Sequence, residues 1–167
     1  APFIDAFLIG DGEEAIKEIL DTFHKWKTEG DGNKESLFVM LSEIEGIYVP
    51  AHPGKERIRR RFIESLDNVP YPDAPVVPYT SIVHDRVNIE VSRGCPMGCR
   101  FCQAGMIYRP VRERSPEKVL ELAALSLKNT GYEEVSFTSL SAGDYSHLLA
   151  VVSGFNERFS CERIALS

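Results

Sequence analysis

Long hydrophobic runs are missing from this sequence. Its apolar stretches last a handful of residues before Ser, Glu or Lys interrupts them, far from the roughly 18 to 20 that cross a bilayer, so no membrane-spanning helix is expected. Positive charge is also in deficit: 19 Lys and Arg against 25 Asp and Glu leave a net charge of −6, which argues against a dedicated nucleic-acid coat. Cysteine is scarce, with four residues that are not spread in pairs. That pattern fits a reducing cytoplasm better than a disulfide scaffold. His24, His52, His84 and His147 share no spacing and read as surface or packing residues. No internal repeat or low-complexity tract is present. The start, Ala1-Pro2-Phe3-Ile4-Asp5, has neither Met nor a basic n-region, so a secretory leader is not expected and an excised or processed fragment is. What remains, 43% hydrophobic and 26% charged over 167 residues, is the composition of a soluble globular protein able to bury a core.

Two patterns divide the chain. Residues 5 to 10 read as a short buried strand ending in the turn Gly10-Asp11-Gly12. Ile16, Ile19, Leu20, Phe23 and Trp26 then recur at helical spacing and predict an amphipathic helix over 13 to 27. A second helix is predicted over 34 to 45, with Leu37, Phe38, Met40, Leu41 and Ile44 inward and Gly46 at its C-terminal turn, followed by an extended segment at 47 to 50. Residues 51 to 68 carry Lys55, Arg57, Arg59, Arg60 and Arg61. Pro70, Pro72, Pro75 and Pro78 then disfavour helix and central strand alike, marking a linker or a surface-hugging arm. Beyond it the pattern alternates. Strands are predicted at 87 to 91, 134 to 140 and 163 to 166. A helix capped by Ser115-Pro116-Glu117 and closed by Gly131 lies between the first two, and another covers 146 to 156. This is a parallel α/β arrangement, in which sites sit at the C-terminal ends of strands.

Three of the four cysteines fall at the end of the first of these strands, as Cys95-Pro96-Met97-Gly98-Cys99-Arg100-Phe101-Cys102. Three clustered thiolates point to a metal or iron-sulfur site, and an odd count leaves one coordination position for a non-cysteine ligand. A structural zinc would need a fourth ligand, for which His84, His147 or Cys161 can be proposed without any supporting spacing. A redox dithiol is a further alternative. A 4Fe-4S cluster with one open iron needs nothing added. The competing class of function is a non-catalytic domain in which the same cysteines hold a structural metal, zinc or Fe-S, and mediate assembly.

The segment from Ser92 to Cys102 resembles the signature of radical S-adenosylmethionine (radical SAM) enzymes, in which CxxxCxxC follows the first barrel strand and an aromatic precedes the last cysteine. The resemblance implies that Cys95, Cys99 and Cys102 ligate a 4Fe-4S cluster whose fourth iron chelates S-adenosylmethionine, with Phe101 near the adenine. It implies reductive cleavage of that cofactor to a 5′-deoxyadenosyl radical, which abstracts hydrogen from an unknown substrate, with a flavodoxin or ferredoxin as reductant. A glycine-rich GGE element that closes the second strand in the superfamily and contacts the methionyl amino group corresponds here to Ala142-Gly143-Asp144. The fold implied is a truncated parallel (β/α) partial barrel. Upstream, Asp5 to Ile19 is similar to the last strand and helix of a cobalamin-binding-like domain, and the whole resembles the middle of a bacterial protein combining the two.

The expected organisation is therefore 1–50 as the C-terminal part of a cobalamin-binding-like α/β domain, 51–84 as a basic and Pro-rich linker, and 85–167 as the N-terminal part of a radical SAM core. Gly10 and Gly12 could line a cofactor groove, but a plain strand-to-helix turn is the better reading. No Asp-x-His-x-x-Gly motif is present, so cobalamin itself is not expected. The basic run from Lys55 to Arg61 could contact RNA. Its interleaved Glu56 and Glu64 and apolar Ile58, Phe62 and Ile63 fit a solvated amphipathic helix better. Arg109 and Arg112 could touch the cofactor carboxylate or a substrate anion, or pair with the acidic surface, and Cys161 reads as a small buried residue. An open sheet of few strands predicts self-association through its edge, or disorder in the cysteine loop without metal, and the isolated fragment is expected to be inactive.

Overall fold

A computed structural model describes residues 3–52, 57–80 and 82–167. Lys55 and Glu56, part of the basic run, lie outside the described residues. The chain forms two compact units, Ala1–Glu64 and Ser65–Ser167.

In the first unit, strand β1 (Phe7–Leu8) leads into helix α1 (Ala15–Glu29), helix α2 (Lys34–Ser42) and strand β2 (Ile47–Tyr48). β1 and β2 pair antiparallel, Phe7 opposite Tyr48. Asn33 caps α2 by accepting a hydrogen bond from the Glu35 amide at 3.0 Å. Leu37, Phe38, Leu41 and Ile44 are buried as the periodicity predicts. The helix stops at Ser42, however, and Gly46, with φ +85°, serves the following turn.

The expectation for α1 is only half met. Ile19 and Trp26 pack on the unit's core, whereas Ile16, Leu20 and Phe23 are exposed. Helical spacing tells which side chains share a face, not whether another element covers it.

The basic run is not a helix over its described residues. Arg61 instead forms a parallel bridge to Gly10, its amide donating to the Ile9 carbonyl at 2.9 Å while the Asp11 amide donates to the Arg61 carbonyl at 3.0 Å. Buried Asp11 accepts from the Ile63 amide at 3.1 Å, and Arg61 pairs with Glu14 at 3.2 Å and Glu18 at 2.6 Å. These distant acidic partners outweigh the local amphipathic pattern. The Arg61 guanidinium in turn holds Glu18 below the usual carboxylate range, chiefly through its hydrogen bond to that carboxylate.

The second unit carries strand β3 (Val87–Glu90), strand β4 (Ser92–Arg93), the short helix α3 (Ala104–Ile107), strand β5 (Arg112–Glu113), helix α4 (Pro116–Thr130), strand β6 (Glu134–Thr138), a 3-10 turn (Ala142–Asp144), helix α5 (Leu148–Phe159) and strand β7 (Ala165–Leu166). β3, β6 and β7 form a wholly parallel sheet in that order, with Val87 opposite Val135 and Glu134 opposite Ala165. This is a mixed α/β fold with a partial parallel (β/α) core, as expected.

Helix α4 starts and ends where its sequence says. Ser115 accepts from the Lys118 amide at 3.2 Å, Pro116 occupies the first turn, and Gly131 closes the helix in the left-handed conformation at φ +74°. Its Val119, Leu122, Ala123, Ser126 and Leu127 are buried. With Val151, Phe155 and Phe159 of α5 they cover the Val87, Ile89, Val91 and Val135 side of the sheet. Because side chains alternate along a strand, the opposite side carries Asn88, Glu90, Ser136 and Thr138. That side is polar and at least partly open.

The Pro-rich stretch contains neither helix nor strand and lies along this unit. The Tyr71 hydroxyl donates to the Asn88 carbonyl at 2.6 Å, and the Asn129 side-chain Nδ2 donates to the Asp73 carbonyl at 3.1 Å. Among the described residues, no helix is long and apolar enough to cross a membrane.

Candidate functional site

The cysteine loop follows β3 and β4 at the C-terminal edge of the parallel sheet. Its two feet are joined. β4 pairs antiparallel with β5, Ser92 opposite Glu113 and Arg93 opposite Arg112, so residues 94 to 111 form a loop closed at its neck. Gly94 sits at the closure with φ +95°, and a Cβ there would meet the Tyr108 carbonyl oxygen at 2.6 Å and the Pro110 carbonyl oxygen at 3.0 Å. Only glycine permits this backbone approach. Arg112 is buried, and its Nε donates to the Pro110 carbonyl at 3.1 Å. It therefore belongs to the neck, while Arg109 is exposed on the loop.

Beyond the neck the loop opens to solvent. Cys95 is half-buried, Cys99 and Cys102 are exposed, and all three are free thiols. The Cys102 amide donates to the Cys99 carbonyl at 3.0 Å, and Gly98 turns the chain at φ +60°. Gly105 of α3 lies against the first cysteine: a Cβ there would stand 3.4 Å from the Cys95 carbonyl oxygen. Phe101 is 91% exposed.

In donor chemistry the loop fits an iron-sulfur cluster, since three thiols occupy one exposed turn after a buried strand. The side chains are not drawn together in advance: among the described residues, no three His, Cys, Asp or Glu side chains form a ready metal-binding group. Cys161 is exposed in the turn after α5 rather than buried, because β7 begins only at Ala165.

The adjacent parallel strand delivers the second predicted element. After β6, the Ala142–Asp144 turn stands at the same edge of the sheet, and the Ser141 hydroxyl donates to the Asp144 carboxylate. A Cβ added to Gly143 would meet no atom within 4 Å, so the space above this backbone is open.

Sequence reasoning missed what lies beneath both loops. Arg114 is 2% exposed, and its guanidinium donates to the Glu90 carbonyl at 3.1 Å and to the Leu66 carbonyl while lying over the Tyr71 ring. Burial pushes its pKa down, against the opposing influence of Asp67 and Glu90. Glu90 accepts from Arg93 at 2.8 and 2.7 Å. The sequence signal was the pair of charged segments flanking the loop, Ser92-Arg93 and Arg112-Glu113-Arg114.

Residues 1–50 match the family model "Radical SAM proteins, N-terminal", and residues 89–159 match "Radical SAM superfamily". The chain is 28% identical over 134 residues to an uncharacterised protein of Methanocaldococcus jannaschii, covering 80% of the chain and 30% of that protein. It is 28% identical over 144 residues to an uncharacterised methyltransferase of Pyrococcus horikoshii, covering 81% and 28%. It is 27% identical over 127 residues to the anaerobic magnesium-protoporphyrin IX monomethyl ester cyclase of Rubrivivax gelatinosus, covering 72% and 21%. The chain thus spans less than a third of the length of these relatives. No solved structure matches it. The chain thus carries an N-terminal domain and a core domain of radical SAM proteins, the core match running from β3 through the cysteine loop to the end of α5.

Proposed function

We propose that Cys95, Cys99 and Cys102 hold a 4Fe-4S cluster and that S-adenosylmethionine binds at the iron they leave open, with Phe101 beside the adenine and Ala142, Gly143 and Asp144 at the methionyl amino group. The observation that carries this reading is the placement of three free thiols and an open-backed Gly143 turn on the same edge of the sheet, after the adjacent parallel strands β3 and β6. Bound there, the cluster would supply the electron that cleaves the sulfonium S–C5′ bond, releasing methionine and a 5′-deoxyadenosyl radical that takes a hydrogen atom from substrate.

The chain's own residues orient and bind. The Asp144 carboxylate, hydrogen bonded by Ser141 on one oxygen, is exposed and suited to an ammonium group. The polar side of the sheet, with Asn88, Glu90, Ser136 and Thr138, offers hydrogen-bonding groups to a polar substrate. A flavodoxin or ferredoxin would serve as reductant, since the exposed loop leaves the thiols accessible. In this reading residues 1–50 are the C-terminal part of a cobalamin-binding-like α/β domain, in which cobalamin itself is not expected. Gly10 packs against the Arg61 backbone, whose carbonyl oxygen stands 1.9 Å from where a Cβ would be, which supports the plain turn over a cofactor groove. One relative is named a methyltransferase and another a cyclase, so the shared segment answers to radical generation and not to one product.

The test is anaerobic reconstitution of the full-length protein followed by reduction with dithionite and S-adenosylmethionine. About four irons and four sulfides per chain, with 5′-deoxyadenosine formed, are expected. One tightly bound zinc with no iron would overturn the reading and favour a structural metal.

A further inference from the structure

The cysteine loop and the Ala142–Asp144 turn are tied together by a closed circuit of hydrogen bonds. The Val91 amide donates to the Thr138 carbonyl at 3.0 Å, joining the ends of β3 and β6. The Arg114 amide donates to the Val91 carbonyl at 2.9 Å, joining the neck of the cysteine loop to β3. The Tyr145 hydroxyl then donates to the Arg114 carbonyl at 2.8 Å, and the covalent chain from Tyr145 back to Thr138 passes through the turn. Tyr145 supplies the one side-chain link in this circuit. A second strap runs beside it, where the Ser146 amide donates to the Glu113 carboxylate at 2.8 Å.

We propose that Tyr145 and Glu113 are positioning residues that lock the Ala142-Gly143-Asp144 turn to the neck of the cysteine loop, so that a cofactor touching both is held at one fixed separation. This rests on the reading of the turn and the cysteines given above. Tyr145 is 3% exposed and packs in the main core, so its ring would be explained by packing alone, but its hydroxyl would not. A buried hydroxyl needs a partner, and this one finds a backbone carbonyl beside the neck of the cysteine loop rather than one in its own segment. Burial pushes the phenol up to about 12, which keeps it a donor throughout the neutral range. The separation matters because S-adenosylmethionine would have its amino group at the turn and its sulfonium beside the iron, and small misplacements of reacting groups cost rate steeply.

The measurement is a titration of the reconstituted, reduced full-length protein with S-adenosylmethionine, followed by the change in the cluster's electron paramagnetic resonance signal. Tyr145→Phe keeps the ring and removes the hydroxyl; Glu113→Ala removes the second strap; Glu113→Gln retains an oxygen acceptor. Tyr145→Phe and Glu113→Ala are each expected to keep their iron but need about three- to tenfold more S-adenosylmethionine, the equivalent of one net hydrogen bond. Glu113→Gln should titrate close to the unmutated protein. Should Tyr145→Phe lose iron, the comparison of Glu113→Ala with Glu113→Gln decides. Iron-loaded variants that titrate like the unmutated protein would overturn the positioning role alone, as would Glu113→Gln weakened as much as Glu113→Ala. An unmutated protein whose iron signal is unmoved by S-adenosylmethionine would overturn both this role and the cofactor reading.

Discussion

The neck and the tip of the cysteine loop are made by different physics. At the neck, Ser92, Arg112 and Arg114 are 5%, 6% and 2% exposed, paired strands close the chain, and Gly94 fits against two carbonyls. At the tip, Phe101 is 91% exposed, Met106 68% and Met97 59%, and two of the three thiols face solvent. The polypeptide thus determines where the loop starts and stops through its own buried hydrogen bonds. It contributes few packed contacts to the segment between them. A metal bound there would supply what such a segment lacks, because ligation energy would then be folding energy for the ligating turn alone.

The largest expected effect breaks the tip and spares the neck. Cys99→Ser should abolish iron incorporation while leaving the melting temperature of the metal-free protein unchanged, measured by iron analysis and thermal unfolding. A large fall in the metal-free melting temperature would show that the thiol is a packing residue. The next effect breaks the neck. Gly94→Ala places a methyl group 2.6 Å from the Tyr108 carbonyl oxygen at φ +95°, and should cost about 2 to 4 kcal/mol by denaturant unfolding. A cost under ~1 kcal/mol would mean that the neck opens freely and the contrast with the tip is unreal.

The same contrast explains what was legible in the sequence. Helix α4 could be read residue by residue, since Ser115, Pro116 and Gly131 act on the backbone beside them and its buried face repeats at helical spacing. The gathering of Cys95, Cys99 and Cys102 in one turn was legible because it is local in the chain. Arg61, by contrast, finds its carboxylates at Glu14 and Glu18, more than forty positions away, and that pairing replaced a predicted helix with an extended bridge. Tyr145 and Arg114 were missed for the same reason: their hydrogen bonds join segments brought together only when β3 and β6 pair. Ile16, Leu20 and Phe23 show the converse, a correct periodic stripe on α1 whose side chains nonetheless stay exposed.

A third substitution sharpens the distinction between protein contact and ligand contact. Gly143→Ala adds a methyl group with no protein atom within 4 Å, so stability should change by less than ~1 kcal/mol. If the cofactor's amino end lies against that backbone, the same methyl should raise the S-adenosylmethionine requirement about tenfold in the spectroscopic titration. Unchanged affinity would remove Gly143 from the site.

The smallest effect compares two glycines with similar backbones and different surroundings. Gly98, at φ +60°, is left-handed like Gly94, but a Cβ there would have only Arg109 Nη2 nearby, at 4.0 Å. Gly98→Ala therefore incurs conformational strain without collision, on the order of 1 kcal/mol for a left-handed alanine. An exposed, sparsely packed tip can relax part of that by rotating away from the strained conformation, whereas the neck is held by its ladder and cannot. Denaturant unfolding of the metal-free protein should accordingly show Gly98→Ala losing ~1 kcal/mol or less, well below Gly94→Ala. Equal losses at the two glycines would mean that the tip is as firmly fixed by the polypeptide as the neck, and that the thiols are held in place before any metal arrives.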